Sequence, residues 1–116
     1  MALEVIDDSN FEEFLASPVA FLLIGKTGCG PCMEWTASLN SALAEDGLPS
    51  GIRWGKLIIG DGKLTNLKRV HGTWLSHVRE MPYNSIWMNG TMVKEWPGGG
   101  ELDRLTNRLE GLGLVA

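Results

Sequence analysis

The sequence predicts an α/β fold, a central mixed sheet of about five strands flanked by about four helices, with residues 1–116 forming one domain. Three observations predict it. Val19 to Ile24 is an unbroken apolar run of strand length, as in a strand covered on both faces. Asn89-Gly90 separates two late strand-like segments as a hairpin turn would. Segments with helical apolar spacing alternate with the strands, giving the order β, α, β, α, β, α, β, β, α. A parallel unit therefore comes early and an antiparallel hairpin late.

Leu3 to Ile6 reads as a short first strand, and Asp8 or Ser9 offers an N-cap for a helix to about Ala16 with Phe11, Phe14 and Leu15 on one face. Pro18 resets the chain, and Val19 to Gly25 is the central strand. After the loop Lys26 to Gly28, a helix is expected from about Cys29 to Glu45, with Met33, Trp35, Leu39, Ala42 and Leu43 as its apolar positions. Gly47 and Pro49 end it. Ile52 to Ile59 is the third strand. Lys63 to Val70 is the third helix, with Leu64, Leu67 and Val70 at helical spacing and Gly72 as its stop. Gly72 to Met81 is a connection without assigned structure. Pro82 opens the strand Tyr83 to Met88, Met92 to Trp96 returns after the hairpin, and Pro97 to Gly100 breaks it. Glu101 to Leu112 closes the chain as a helix with Leu102, Leu105 and Leu109 facing inward.

Composition narrows the function. With 116 residues, 44% of them hydrophobic, the chain can bury a core without staples. A net charge of -4 with no basic stripe argues against nucleic acid as a partner, and the five tryptophans fall on different elements, not at the spacing of a base-stacking platform. Met1 to Asn10 carries Glu4, Asp7 and Asp8 and lacks the basic start and apolar run of a signal peptide, so a cytoplasmic setting is expected. Val19 to Ile24 is too short to cross a bilayer, and no membrane role is expected.

The chemistry lies in Cys29-Gly30-Pro31-Cys32, placed where an apolar strand hands over to a helix. Unpaired N–H groups and the macrodipole at a helix start stabilise an anion, so Cys29 is expected to be the exposed, nucleophilic, lower-pKa thiol. Cys32, one turn further in, is expected to be the buried resolving thiol. Gly30 and Pro31 permit the tight turn, and Pro31 removes an N–H that would go unpaired anyway. A purely structural disulfide is a poor explanation, because so small a loop restricts the unfolded chain little.

On these residues, together with Pro82 opening the next strand, Asn89-Gly90 at the hairpin and Gly98 after the last strand, the chain resembles the thioredoxin family over nearly its whole length. The resemblance implies a thioredoxin fold and a protein-disulfide reductase in which Cys29 attacks and Cys32 resolves. It implies a cis Pro82, with the backbone of Met81 offered to an extended substrate strand. Gly28, Met81, Pro97 and Gly98 would complete the substrate-binding surface. Disulfide-containing proteins are the implied substrates, a thioredoxin reductase the implied electron donor, and no cofactor is implied.

Four departures from that family bear on mechanism. Leu23 stands where thioredoxins carry a buried aspartate, so the proton of Cys32 must move by water or another group, with slower turnover as the expected consequence. Lys56, at the place of the lysine that accompanies that aspartate, reads as a solvated charge at a strand end. Gly25 and Gly28 replace aromatic residues, which implies a smaller and more flexible docking surface. Ala37 replaces a mid-helix proline, so less kink is expected. Finally, the segment Gly72 to Met81 is longer than its counterpart and carries Trp74, His77 and Arg79, either as a specificity loop or with Trp74 and Leu75 packed onto the core.

Two other readings compete. Cys29, Cys32, His71 and His77 make a potential zinc set, but the long separation and the helix start beneath the cysteines are unlike a zinc knuckle. Alternatively, the domain is an interaction module with secondary redox activity, which the departures at Leu23 and Gly28 leave open.

Overall fold

The computed structural model describes residues 2–60 and 63–114. Continuous apolar character places β2 (Ala20–Lys26) at the centre of a five-stranded sheet, buried along all but its last residue. Its neighbours are β3 (Arg53–Ile59), parallel to it, and β4 (Tyr83–Met88), antiparallel. The edges are β1 (Glu4–Val5), parallel to β3, and β5 (Thr91–Pro97), antiparallel to β4, giving the order β1-β3-β2-β4-β5. Asn89 and Gly90 both take positive φ, 52° and 86°, as a tight hairpin turn requires.

Four helices cover the sheet: α1 (Phe11–Leu15), α2 (Gly30–Ala44), α3 (Thr65–Leu75) and α4 (Leu102–Gly111). Because side chains alternate along a strand, β2 feeds two cores. Phe21 and Leu23 pack with Trp35 and Leu39 of α2 and Leu105 and Leu109 of α4. Leu22 and Ile24 pack with Phe14 of α1, Leu67 of α3 and Trp87. At Gly55 a Cβ would lie 2.7 Å from the Phe14 ring, so only glycine fits beneath α1. Among the described residues no helix is long and apolar enough to cross a membrane.

Two elements depart from expectation for tertiary reasons. The carboxylate of Asp8 does not cap α1; it accepts from the N–H groups of Asn66 and Leu67 at 3.1 and 2.9 Å, capping α3 instead. At α1 the side chain of Asn10 accepts from the Asp7 N–H and donates to the Val5 carbonyl, closing the turn before a helix of five residues. Gly72 does not stop α3. The helix continues to Leu75 because Trp74 and Leu75 pack against the second core, and the Ser76 N–H bonds back to the Gly72 carbonyl. The connection from Gly72 to Met81 is thus partly helical.

Candidate active site

The end of β2 and the start of α2 are joined by Thr27, Gly28 and Cys29. Gly28 makes the turn with φ +79°, and the Cys29 N–H bonds to the Lys26 carbonyl at 3.2 Å. Cys29 is the N-cap of α2, and its sulfur accepts from the Cys32 N–H at 3.2 Å. Pro31 fills a position of the first turn where no N–H partner exists. The two sulfurs are bonded to each other, with Cα atoms 5.3 Å apart. Cys29 is 8% exposed and Cys32 2%, so in the disulfide form both are buried and the expected exposure of Cys29 is not seen; Cys29 is only the more accessible of the two.

On one side of the disulfide, the site is closed by residues far apart in sequence. Met81–Pro82 is a cis peptide bond, and the Pro82 carbonyl accepts from the Gly98 N–H at 2.8 Å. Asn84, fully buried in β4, accepts from the Trp35 indole N–H at 2.8 Å and donates to the carbonyls of Trp96 and Gly98 at 3.2 and 2.5 Å. Gly99 seals the joint, since a Cβ there would lie 2.7 Å from Trp35 Cγ and 3.1 Å from Pro82 Cγ. Trp35 links this network to α2 one turn beyond Cys32. Asn84 has no place in the sequence-based reading, in which Trp35 is only an apolar helix position and Gly99 only part of the segment after the last strand; a lone asparagine in the apolar strand Tyr83–Met88 is the sequence signal that points to their network. Pro97 and Gly98 are exposed and Met81 half-buried, at the rim of this side. Next to Pro82, the Tyr83 hydroxyl donates to Glu95 at 2.5 Å; burial first, and that carboxylate second, push its pKa up to about 12.

The other side is hollow. A cavity of about 430 Å³ opens between α2 and the end of β3, with Cys32, Gly28, Met33, Ala37, Lys56 and Ile58 in its wall. Two expectations are corrected here. Gly25 is not part of an outer docking surface but is buried under the site, where a Cβ would lie 3.2 Å from Cys32 Sγ. Lys56 is not a charge at a strand end; it lies mid-strand in β3, opposite Leu23, partly buried in the cavity wall.

The histidines lie apart from this chemistry. His71, on α3, meets the Phe11 and Trp87 rings edge-on, and its Nδ1 accepts from the Trp74 indole at 3.0 Å. Burial lowers its pKa, opposed by the charge of Glu12. His77 is exposed beyond the helix. Among the described residues no group of three or more His, Cys, Asp or Glu side chains is placed to hold a metal ion.

By sequence the chain matches no family model and no curated protein. Its backbone is similar to solved thioredoxins. A mutant thioredoxin from Halobacterium salinarum superposes with a TM-score of 0.73 at 18% identity, covering 99% of this chain and 94% of that one. The chain has the thioredoxin fold. The short form of thioredoxin f from spinach chloroplast gives 0.72 at 18% identity, with 95% and 92% covered. Thioredoxin O2 from Arabidopsis thaliana in its oxidized state gives 0.70 at 20%, with 96% and 94% covered. On this thioredoxin fold, the disulfide at the start of α2, the cis Pro82 and Gly98 after β5 converge at one end of the sheet.

Proposed function

We propose that the chain is a protein thiol–disulfide oxidoreductase, working as one domain and as a cytosolic reductant of disulfide-containing proteins. The observation that carries this reading is the Cys29–Cys32 disulfide at the first turn of α2, with Cys29 as N-cap. The reduced Cys29 thiolate, stabilised by the helix start, attacks one sulfur of a client disulfide and expels the other as thiolate. Cys32 then attacks the Cys29 sulfur of the mixed disulfide, freeing the second client thiol and leaving the oxidised pair. Met81, Pro82, Pro97, Gly98 and Gly28 form the surface on which a client strand lies, with Gly30 and Pro31 supporting the turn. Electrons return from a thioredoxin reductase, and no cofactor takes part.

The test is reduction of the insulin disulfides. Wild type should be active and Cys29→Ser inactive, while Cys32→Ser should accumulate a mixed disulfide with the client at Cys29. An inactive wild type whose partner binding survives in the double serine variant would assign the chain to interaction modules instead. Direction is tested by the equilibrium potential of the pair, expected below the glutathione poise of roughly -220 to -260 mV; a higher value would make it an oxidant or isomerase.

A further inference from the structure

The client surface proposed above includes Pro97 and Gly98, which begin the run Pro97-Gly98-Gly99-Gly100. All four residues are exposed, and Gly98 and Gly100 take positive φ, +91° and +93°. Glycine gives up more freedom on ordering than any other residue, and beyond Pro97 the run has no side chain to anchor it. Its order is supplied from outside. The Gly98 N–H donates to the Pro82 carbonyl at 2.8 Å, and the Gly98 carbonyl accepts from Asn84 Nδ2 at 2.5 Å. Among the described residues no other side chain hydrogen-bonds to the run. The Asn84 amide has one possible orientation: the Trp35 indole, which only donates, takes Oδ1, and the carbonyls of Trp96 and Gly98, which only accept, take Nδ2. A fully buried strand position is normally apolar, and an amide is tolerated there when its bonds are made. The bonds of this one run to the client surface on one side and, through Trp35, to the helix that starts at the cysteines on the other.

We propose that Asn84 is a positioning residue for protein clients, holding the glycine run in its client-binding shape before a client arrives. This deepens the oxidoreductase reading, on which it rests. Asn84 makes no hydrogen bond to either cysteine and acts through the run alone. Without the amide, a client strand must order the run as it binds, and the added cost weakens binding while the exchange at sulfur keeps its rate. A small disulfide with no strand to lay on the surface does not meet that cost. Asn84 therefore separates protein clients from small disulfides.

In the test, the reduced protein is mixed with insulin over a range of concentrations and, separately, with bis(2-hydroxyethyl) disulfide. Oxidation of Cys29 and Cys32 is followed by acid quench and alkylation. Asn84→Leu should raise the half-saturating insulin concentration about 10-fold, the weight of ordering one residue's backbone on binding. Its limiting rate with insulin and its rate with the small disulfide should match wild type. Leu67→Ala, in the core on the other face of the sheet, controls for lost stability and should leave all three values unchanged. An unmoved half-saturating concentration in Asn84→Leu, or an equal fall in its rates with insulin and with the small disulfide, overturns the proposal. Gly99→Ala keeps the amide and tests the same run should the leucine variant fail to fold, since its Cβ, 2.7 Å from Trp35 Cγ, unseats the run from the tryptophan. It should show the same split, and an unmoved half-saturating concentration there also overturns the proposal. Wild type unreactive toward insulin would instead sink the oxidoreductase reading itself.

Discussion

The two flanks of the disulfide are built on opposite plans. Toward Pro82, one buried amide, Asn84, holds the Trp35 indole and two carbonyls of the segment after β5, and Gly99 lets that segment close directly onto the tryptophan. Among the described residues no buried side-chain nitrogen or oxygen lacks a partner. Toward Lys56 the same helix turn borders empty space. One flank is fixed by hydrogen bonds and close packing and the other is not, so substitutions on the two sides should fail differently.

The sharpest way to break this contrast is Asn84→Leu. It strips the Trp35 N–H and two carbonyls of their partner at once, and should cost about 3 kcal/mol in urea-induced unfolding, with a proportionate loss of insulin reduction. A fully stable variant would show that the amide network does not hold the tight flank. Gly99→Ala should follow, at about 2 kcal/mol, because its Cβ overlaps Trp35 and the ring must yield. Adding the same methyl group at Gly30, where nothing lies within 4 Å, serves as the control for steric cost.

The smallest effect is expected away from both flanks, at His71. Its folded-state pKa is depressed by burial, so its neutral form contributes stability that is present above about 6.5, the ordinary value, and lost as the pH falls through the folded value. Protonation also removes the acceptor of the Trp74 N–H. Unfolding midpoints should therefore drop between neutral and mildly acidic pH in wild type and drop less in His71→Phe; parallel curves would exclude His71 as the cause.

Local punctuation was legible in the sequence, and long-range closure was not. The strand Tyr83–Met88 falls within its expected bounds because Pro82 and Asn89-Gly90 mark both ends chemically. The extent of α3 was hidden because packing of Trp74 and Leu75 outweighs a permissive glycine, and its cap was hidden because Asp8 reaches it across 58 and 59 residues. The same holds at the site. Cys29 and Cys32 are a four-residue motif, whereas Trp35 and Asn84 meet across 49 residues. The cavity is harder still to read, because its wall joins Gly28, Met33 and Ala37 to Lys56 and Ile58 of a strand distant in sequence.

The sheet edges bear on how this protein meets a second copy of itself. At one margin only two residues, Glu4 and Val5, form a strand; at the other, β5 carries Lys94 and Glu95, ends in Pro97, and follows a register shift at Ile86/Trp87. A short margin and one with charge, proline and irregular pairing are poor templates for a strand from a second copy. Self-association through the sheet is thereby disfavoured.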